Sequence, residues 1–575
     1  MSPKEYFKSP EKTLQRHYDG LRAYYHEGKS EADVAAMLDW TPQYFKKMRG
    51  EFVSTLKKGE DPFFAHKKKG PKGRRTPENL IEKVVLLRKR NYAIGDIRVA
   101  LQAEGLNLSI ASIDKTLKEQ GFAPLPKRTR EERLTVQAPA ALPAPRVSAL
   151  DLKTEVFSTE LGAGPLIFLP LIEELGLIQI IEQCGFPETK DVSAVHYILS
   201  FLALKLISNK RWSHDSLWGF DRALGLFAGL NVLPKATSLS TYSYRVQRQS
   251  NLNLLRQLSR VFESNSDGEF NLDFKAIPHW GGASVLEKNW CGTRKCAMKS
   301  VLALIVQNPE SGMISYTDSE IKHSNQNDAV LEFVDFWTDA HNAPPKMLIF
   351  DSKMTSYENL NKLNQDKIFF LTLRRRGKKL IDQIAKIPEE EWKKVRLDRS
   401  HGKQQTVRIH ERNIKLRHYE GELREIIMTD HGREKPVFLI TNDLEANAKT
   451  FIKKYARRWL VEQEIAEQVA FFHINQPSSS IVVKVDFDLT LSLLAHNLYR
   501  MLASHLPGFE HCNAETLCRN FLMNGAKIIT TPTAVRVELK KKSHLPILFE
   551  VPWMKKTTHL GGLNIDITFA GGTVS

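Results

Sequence analysis

The sequence has few cysteines and no long apolar segment, and each shortage argues against a class of protein. Five cysteines are scattered through 575 residues. Their odd number, without two pairs at ligand spacing, argues against a disulfide framework and against a zinc site. No run of about 18 apolar residues occurs, so no transmembrane helix is expected. The first residues, Met-Ser-Pro-Lys-Glu-Tyr, lack the apolar stretch of a secretory signal, so export is not expected.

Acidic residues are also scarce relative to basic ones. The chain has 83 Lys and Arg against 66 Asp and Glu, a net charge of +17. A charge of this sign favours a polyanionic partner, and nucleic acid is the first candidate. A membrane surface is the alternative, but no basic amphipathic anchor stands out. The length exceeds what one hydrophobic core serves, so a multidomain protein is expected.

Two helical units are predicted in the N-terminal part, residues 1–60 and residues 77–122. In the first, Ser30 and Asp33 form a capping-box pattern, and Thr41-Pro42 starts a basic helix. A helix, a short turn and a basic helix are typical of a helix-turn-helix, whose last helix enters the major groove. A small protein-binding bundle is the alternative. The residues predicted to contact DNA here, including two in the basic linker 61–76, are Gln43, Lys46, Lys47, Arg49, Arg74, Arg75, Lys115 and Lys118.

The remainder of the chain divides by its pattern of apolar residues. A Pro- and Ala-rich linker, residues 123–148, precedes a helical domain that shows no chemical motif, residues 149–268. From residue 269 short apolar runs alternate with helical stretches, which favours an α/β layer fold, and their order fits an RNase H-like sheet. Four parts are predicted from here on. A first core segment covers residues 269–373, and a β-rich insertion with strands alone covers residues 374–445. A second core segment covers residues 446–510, and a C-terminal tail covers residues 511–575.

Within the second core segment we expect a long helix from about Ala446 to Phe472. A strand, Ile481–Val485, and a helix, Leu489–Leu506, are expected to follow it. In the insertion, Ile414–His418 is predicted to be a strand of its own.

Three acidic residues are the candidates for catalysis. Asp273 lies in a strand-like run, Asp351 ends an apolar run, and Glu462 lies within the predicted long helix. A lone aspartate at a strand end is commonly a turn or cap residue, and a lone helical glutamate is commonly solvated. A carboxylate at the end of an apolar strand costs free energy unless it is paired, and three together require cations. Brought together, these acids predict a two-metal site for phosphodiester chemistry.

The surroundings of Glu462 add a geometric argument. Tyr455, Arg458 and Glu462 are three and four residues apart, so they lie on one helical face, where Arg458 can orient the carboxylate. Glu464 and Glu467 point elsewhere and are interpreted as solvated surface. A run of basic residues directly follows a predicted sheet strand. We expect this run to contact DNA phosphates, and the alternative is that it forms a solvated loop. The run is Arg374, Arg375 and Arg376.

The pattern Tyr455-x2-Arg458-x3-Glu462 resembles the glutamate motif of DDE transposases from bacterial insertion sequences. The subgroup that it resembles carries a β-rich insertion between the second aspartate and the glutamate. The stretches around Asp273 and Asp351 are similar to its other blocks, so the resemblance covers roughly residues 270–505. One departure is Val469, where the subgroup often has a lysine that contacts DNA.

The resemblance implies a function. Asp273, Asp351 and Glu462 would bind two Mg²⁺ ions, with Mn²⁺ as a substitute, to nick transposon ends and join them to target double-stranded DNA. It also implies a homodimer that acts on DNA in the bacterial cytoplasm, associated with the nucleoid. In similar proteins an aromatic residue of the insertion stabilises a flipped base, and Trp392 is the candidate for this role. The alternative is that Trp392 packs in a hydrophobic core. Two other functions stay open: a catalytically silent DNA-binding regulator derived from a transposase, and a metal-dependent nuclease without strand transfer.

Overall fold

The structure is a computed structural model, and it describes most of the chain. The described residues are 13–59, 61–63, 77–90, 92–125, 147–160, 162–211, 214, 218–279, 286–375, 377–384, 386–398, 404–432, 435–475 and 482–571. They form two compact units, which are Met1–Val84 with Leu108–Thr116, and Val85–Asn107 with Leu117–Ser575.

The first described residues form three helices, α1 (Thr13–Tyr25), α2 (Glu31–Leu38) and α3 (Pro42–Lys57). The side chain of Ser30 accepts a hydrogen bond from the backbone N–H of Asp33, and Asp33 caps in return, as the capping-box pattern predicts. Thr41 caps α3 in the same way. One apolar core holds the three helices together, formed by Leu21, Ala23, Val34, Leu38, Phe45 and Met48.

Three further helices follow at the predicted places, α4 (Glu78–Lys89), α5 (Ile94–Ala103) and α6 (Ile110–Glu119). Each buries an apolar stripe, with Val84, Ile97 and Leu117 almost inaccessible to water. The N-terminal region is therefore helical. Most of the basic linker and of the Pro- and Ala-rich linker lies outside the described residues.

The predicted helical domain is mainly helical but also contains a strand, β1 (Glu155–Thr159). The helices are amphipathic or apolar all round, and they contribute much of the main core. In chain order they are α7 (Leu169–Glu174), α8 (Leu177–Gln183), α9 (Ala194–Leu206), α10 (Arg222–Phe227), α11 (Ala236–Tyr242) and α12 (Arg248–Phe262).

A mixed α/β layer begins at residue 269, as the change of period predicts. Its strands are β2 (Glu269–Pro278), β3 (Lys288–Cys291), β4 (Cys296–Gln307), β5 (Ile314–Ile321), β6 (Met347–Phe350) and β7 (Phe369–Leu373). Helix α13 (Ala329–His341) precedes β6, and α14 (Tyr357–Gln365) joins β6 to β7. The spatial order is β5-β4-β2-β6-β7, with β2 antiparallel to β4 and parallel to β6, and with β6 parallel to β7.

The β-rich insertion extends this sheet. Its strands are β8 (Lys393–Asp398), β9 (Gln404–Ile414), β10 (Leu423–Thr429) and β11 (Val437–Thr441), and β11 pairs antiparallel with β7. Two expectations are wrong. A helix, α15 (Lys378–Ile384), interrupts the stretch predicted to hold strands alone. The separate strand Ile414–His418 does not form, because Ile414 ends β9 and His418 adopts a positive φ of 65° in a turn.

The predicted long helix after the insertion is divided in two. Helix α16 (Ala448–Arg457) and helix α17 (Trp459–Ala470) meet at Arg458. The strand predicted over Ile481–Val485 is also wrong, because α18 (Val482–Ser504) is helical from its first residue. The side chains of α18 are buried on nearly all sides, and a short run of apolar residues cannot distinguish a buried strand from a buried helix.

The C-terminal region closes a second sheet. After α19 (Ala514–Leu517) come β12 (Ala526–Thr530), β13 (Ala534–Leu539), helix α20 (Leu545–Leu548), β14 (Thr558–Leu560) and β15 (Ile565–Gly571). The strand order is β1-β12-β13-β15-β14, with Glu155 of β1 opposite Thr530 of β12. The C-terminal region, interpreted as a tail, therefore shares a sheet with β1 of the predicted helical domain.

No single helix among the described residues is long and apolar enough to cross a membrane. The bent pair Gly164–Glu174 and Leu177–Gln183, with 72° between its two parts, meets the requirement by length and composition only. Its apolar residues lie in the main core of the chain.

A buried carboxylate fixes the insertion to the end of β7. Glu425 of β10 is completely buried. One of its oxygens accepts a hydrogen bond from Arg374, immediately after β7, at 2.6 Å, and the other accepts from Arg412 of β9, also at 2.6 Å. Both oxygens therefore face a cation, which a buried carboxylate requires.

We expect Glu425→Gln to lower the free energy of unfolding of the full chain by roughly 3 kcal/mol, because it leaves two arginines without their shared carboxylate. Urea unfolding followed by circular dichroism measures the change. The matched control is Glu422→Gln, whose side chain is half exposed at the start of the same hairpin strand. Equal stability of the two variants would contradict a structural role for Glu425.

Candidate active site

The register of two parallel strands brings the first two acids together. In β2 and β6, Glu269 lies opposite Met347 and Asn271 lies opposite Ile349. Asp351 directly follows β6. When the register is extended by two residues beyond Asn271 and Ile349, Asp273 lies level with Asp351. Neighbouring strands are about 4.8 Å apart, so the two aspartates lie side by side at this edge of the sheet. Carboxyl ends of parallel strands are where α/β sheets commonly place ligand sites.

Local hydrogen bonds orient both aspartates. Asp273 accepts one from the backbone N–H of Phe274 at 2.9 Å. Asp351 accepts one from the hydroxyl of Ser352 at 3.1 Å and one from the backbone N–H of Lys353 at 3.3 Å. The guanidinium of Arg375 donates to the carbonyl of Ser352 at 3.2 Å, which brings a positive charge next to Asp351.

Helices α16 and α17 are tied to β2 near the point where they meet. The side-chain amide of Asn271 donates to the carbonyl of Arg457 at 3.3 Å. Lys454 forms an ion pair with Glu269 at the start of β2. The sequence pattern did not identify Asn271 or Lys454, since an isolated polar residue in a strand gives no sign of its partner. Together they hold the C-terminal part of α16, immediately before α17, against β2.

Arg458 joins the first acid to the third. One terminal nitrogen of its guanidinium lies 3.3 Å from a carboxylate oxygen of Asp273. The other donates a hydrogen bond to Glu462 at 3.0 Å, one helical turn along α17. The guanidinium also lies 5.5 Å from the centre of the Tyr455 ring. The contacts expected from the three- and four-residue spacing are therefore present, although the helix is interrupted at Arg458.

Burial and like charge make this a site that favours added positive charge. Burial raises the pKa of Asp273; Arg458 opposes the shift, whereas the carboxylates of Glu462 and Asp351 add to it. Burial also raises the pKa of Tyr455 to about 12, so its hydroxyl stays protonated at neutral pH and can donate a hydrogen bond. Three carboxylates share one guanidinium, with Arg375 nearby.

The donor set fits a hard divalent cation. Asp273, Asp351 and Glu462 offer carboxylate oxygens alone, and no sulfur or imidazole nitrogen is among them. Mg²⁺ prefers such oxygens and commonly takes one or two carboxylates together with substrate phosphates. The raised pKa of Asp273 also indicates that this carboxylate lacks sufficient positive charge in the metal-free protein.

The residues predicted to contact DNA in the first helical unit differ in their surroundings. Gln43, Lys46 and Lys47 are exposed on α3. Arg49 is partly buried, and its guanidinium forms an ion pair with Glu31 at 2.5 Å. Arg49 therefore holds α3 to α2 through this ion pair, and DNA contact by Arg49 stays a prediction.

The remaining predicted DNA contacts also divide. Lys115 and Lys118 are exposed on α6. Arg374 is paired with the buried Glu425, so its charge serves the insertion, while Arg375 reaches the loop after β6. Arg74, Arg75 and Arg376 lie outside the described residues.

Trp392 is half-buried beside His410, with the guanidinium of Arg408 5.5 Å from its ring centre.

The interpretation of Glu464 and Glu467 as solvated surface is wrong. Their side chains are 16% and 12% exposed, and both face His496 of α18, which is completely buried. A carboxylate oxygen of Glu467 accepts a hydrogen bond from the backbone N–H of Ala514 at 2.5 Å. The three-residue spacing of these glutamates on α17 is the signal that they share a face, but the sequence does not show that α18 covers that face.

The raised pKa of Asp273 has a consequence for stability. The pKa of Asp273 is higher in the folded protein than in the unfolded chain. At pH values between these two, the folded state binds more protons than the unfolded state, so the free energy of unfolding falls as pH rises. Asp273→Asn removes this dependence. In EDTA, we expect the Tm of the variant relative to wild type to increase from about pH 3 to about pH 7.

Thermal unfolding at several pH values measures this difference. Asp151→Asn is the control, because that carboxylate is exposed in another part of the chain. A Tm difference that stays constant or falls with pH would contradict the electrostatic description of the site.

One family is similar to the part of the chain that holds this site. Residues 280–498 match the family described as Transposase DDE domain. The match contains Asp351, Glu462 and the insertion, and it begins seven residues after Asp273. No curated protein matches the chain significantly. The helical N-terminal region is therefore followed by a mixed α/β region that carries a transposase DDE domain, and this match supports a DDE transposase.

Proposed function

We propose that this protein is a DNA transposase of the insertion-sequence type, with Asp273, Asp351 and Glu462 as its metal-binding catalytic residues. The observation that carries the proposal is the meeting of the three acids: a strand register sets Asp273 level with Asp351, and Arg458 contacts both Asp273 and Glu462. The strand order β5-β4-β2-β6-β7 supports an RNase H-like core. The transposase DDE domain match supports the same reading.

The residues of the site would divide the work. Asp273, Asp351 and Glu462 would hold two Mg²⁺ ions, which, when bound, stabilise developing charge on a phosphodiester and lower the pKa of a bound water. Arg458 would orient Glu462 and shield Asp273 until the cations are present. Tyr455, protonated at neutral pH, would donate a hydrogen bond to the DNA backbone. Arg375 would bring positive charge to the phosphates beside Asp351.

The helical N-terminal region would recognise the DNA. The exposed Lys46 and Lys47 lie on the third helix of the first unit, where a helix-turn-helix places its groove-reading side chains. The net charge of +17 supports a nucleic-acid partner. We infer a homodimer, each copy binding one transposon end, acting on DNA in the bacterial cytoplasm. Val469, at the position of the DNA-contacting lysine in similar proteins, leaves that contact to other residues.

The central experiment is cleavage of DNA that carries the terminal sequences flanking the gene, with Mg²⁺ or Mn²⁺. We expect Asp273→Asn, Asp351→Asn and Glu462→Gln each to lower the cleavage rate by roughly a thousandfold, because charge stabilisation by bound metal is worth several kcal/mol. Asp366→Asn, an exposed acid at the end of α14, is the matched control and should cut like wild type.

The outcomes separate the candidate functions. Joining of a labelled 3′ end to target DNA supports a transposase. Cleavage without joining would instead indicate a metal-dependent nuclease, which needs the same acids. Cleavage by the three variants at the wild-type rate would contradict the site assignment.

A second prediction concerns binding by α3. We expect Lys46→Ala and Lys47→Ala each to weaken DNA binding and to lower the slope of log K against log salt by about 1, because each lysine releases a counterion. Arg49→Ala should leave the slope unchanged and lower the Tm, since its charge is paired with Glu31. Fluorescence anisotropy across a salt series measures the slope. A slope that falls with Arg49→Ala but not with the lysine variants would refute this assignment.

A further inference from the structure

A second cluster of potential metal ligands lies on the catalytic helix, on a different face from Glu462. Glu464 and Glu467 of α17 and His496 of α18 each offer one ligand atom, and these atoms all lie within 4.8 Å of one another. The side chains are 16%, 12% and 0% exposed. Helix α17 thus carries one acid for the catalytic site and two for this buried cluster.

The imidazole of His496 is arranged as a metal ligand would be. Its Nε2 lies 3.1 Å from the carbonyl oxygen of Gly312, in the turn between β4 and β5. Donation of the Nε2 proton to this carbonyl leaves a lone pair on Nδ1. A ligating histidine usually donates its other ring N–H to such a carbonyl, which fixes the tautomer.

The Nδ1 atom is buried and has no hydrogen-bond partner among the described residues. It faces a carboxylate oxygen of Glu467 at 3.9 Å, which is too far for a hydrogen bond. Two ligands of one ion, each about 2 Å from the metal, reach separations up to about 4 Å. The gap between these two atoms therefore suits a shared cation better than a direct contact.

A carboxylate oxygen of Glu464 lies 3.4 Å from Nε2 of His496. The Oε2 atom of Glu464 is buried and, within the described part of the chain, accepts no hydrogen bond. The Glu467 carboxylate uses one oxygen to cap the backbone at Ala514. Two carboxylates near each other in a largely buried place repel, and buried charges are normally paired or bound to metal. A bound divalent cation would give a partner to both unsatisfied atoms, Nδ1 of His496 and Oε2 of Glu464.

We propose that Glu464, Glu467 and His496 form a second metal site, separate from the catalytic one, that binds Zn²⁺ or a similar first-row divalent cation. The imidazole nitrogen favours such ions over Mg²⁺, which prefers oxygen ligands alone. The bound ion connects α17 to α18, and through the Gly312 carbonyl to the turn after β4. It thereby fixes the helix that carries Glu462 from the side opposite the DNA.

The test uses the full chain with Asp351→Asn and Glu462→Gln, so that the catalytic acids no longer bind metal. The protein is stripped with EDTA, loaded with Zn²⁺ and desalted, and the retained zinc is measured by mass spectrometry. We expect one retained ion per chain and a higher Tm with Zn²⁺. In this background, His496→Gln should lose both, whereas the control His505→Gln, an exposed histidine just beyond α18, should lose neither.

Glu464→Gln keeps the test valid where His496→Gln fails to fold, because it preserves the size of the side chain and should also lose the retained ion and the zinc-dependent rise in Tm. Co²⁺ is the spectroscopic probe, and its visible absorption should disappear with the same variants. No retained zinc in the background protein would overturn the proposal. Zinc retained equally after His496→Gln and Glu464→Gln would overturn it as well.

Discussion

The contact of one guanidinium with two carboxylates is the interaction on which this site depends. Arg458 lies between Asp273 on the sheet and Glu462 on α17, and it supplies the positive charge that the buried acids need in the metal-free protein. Burial and the neighbouring carboxylates still raise the pKa of Asp273, so one cation is not sufficient. The site therefore has a shortage of positive charge that the binding of divalent cations would remove.

The sheet supplies the rigid frame for this arrangement. Parallel pairing of β2 with β6 sets two acids level, and the contacts of Asn271 and Lys454 hold the C-terminal part of α16, just before α17, against β2. The insertion continues the same sheet through β11, and the buried Glu425 locks it to the end of β7.

Local pattern predicted the strands and the helical spacing around the candidate acids where the signal was periodic. The strands around Asp273 and Asp351 and the spacing of Arg458 and Glu462 follow from alternation and from the helical repeat, which depend on neighbouring residues alone. The errors arise where distant elements decide burial. Val482–Ser504 is apolar on nearly all sides because it is enclosed by the core, and Glu464 and Glu467 are buried because α18 covers them. The ion pairs of Arg49 with Glu31 and of Arg374 with Glu425 also join residues of different elements, which the local pattern does not show.

The most direct measurement of the central claim is cleavage of the polypeptide by Fe²⁺ bound in place of Mg²⁺. In the presence of ascorbate and peroxide, a bound Fe²⁺ produces radicals that cut the chain close to the ion. The protein carries Glu464→Gln, so that Fe²⁺ does not bind at the second proposed site. If the three acids form one cation site, this protein should be cut near residues 273, 351 and 462 together, excess Mg²⁺ should suppress all three cuts, and adding Asp351→Asn should abolish the cuts near 273 and 351. Cuts at a single one of these places, or none that Mg²⁺ suppresses, would contradict the claim that these acids share a metal site.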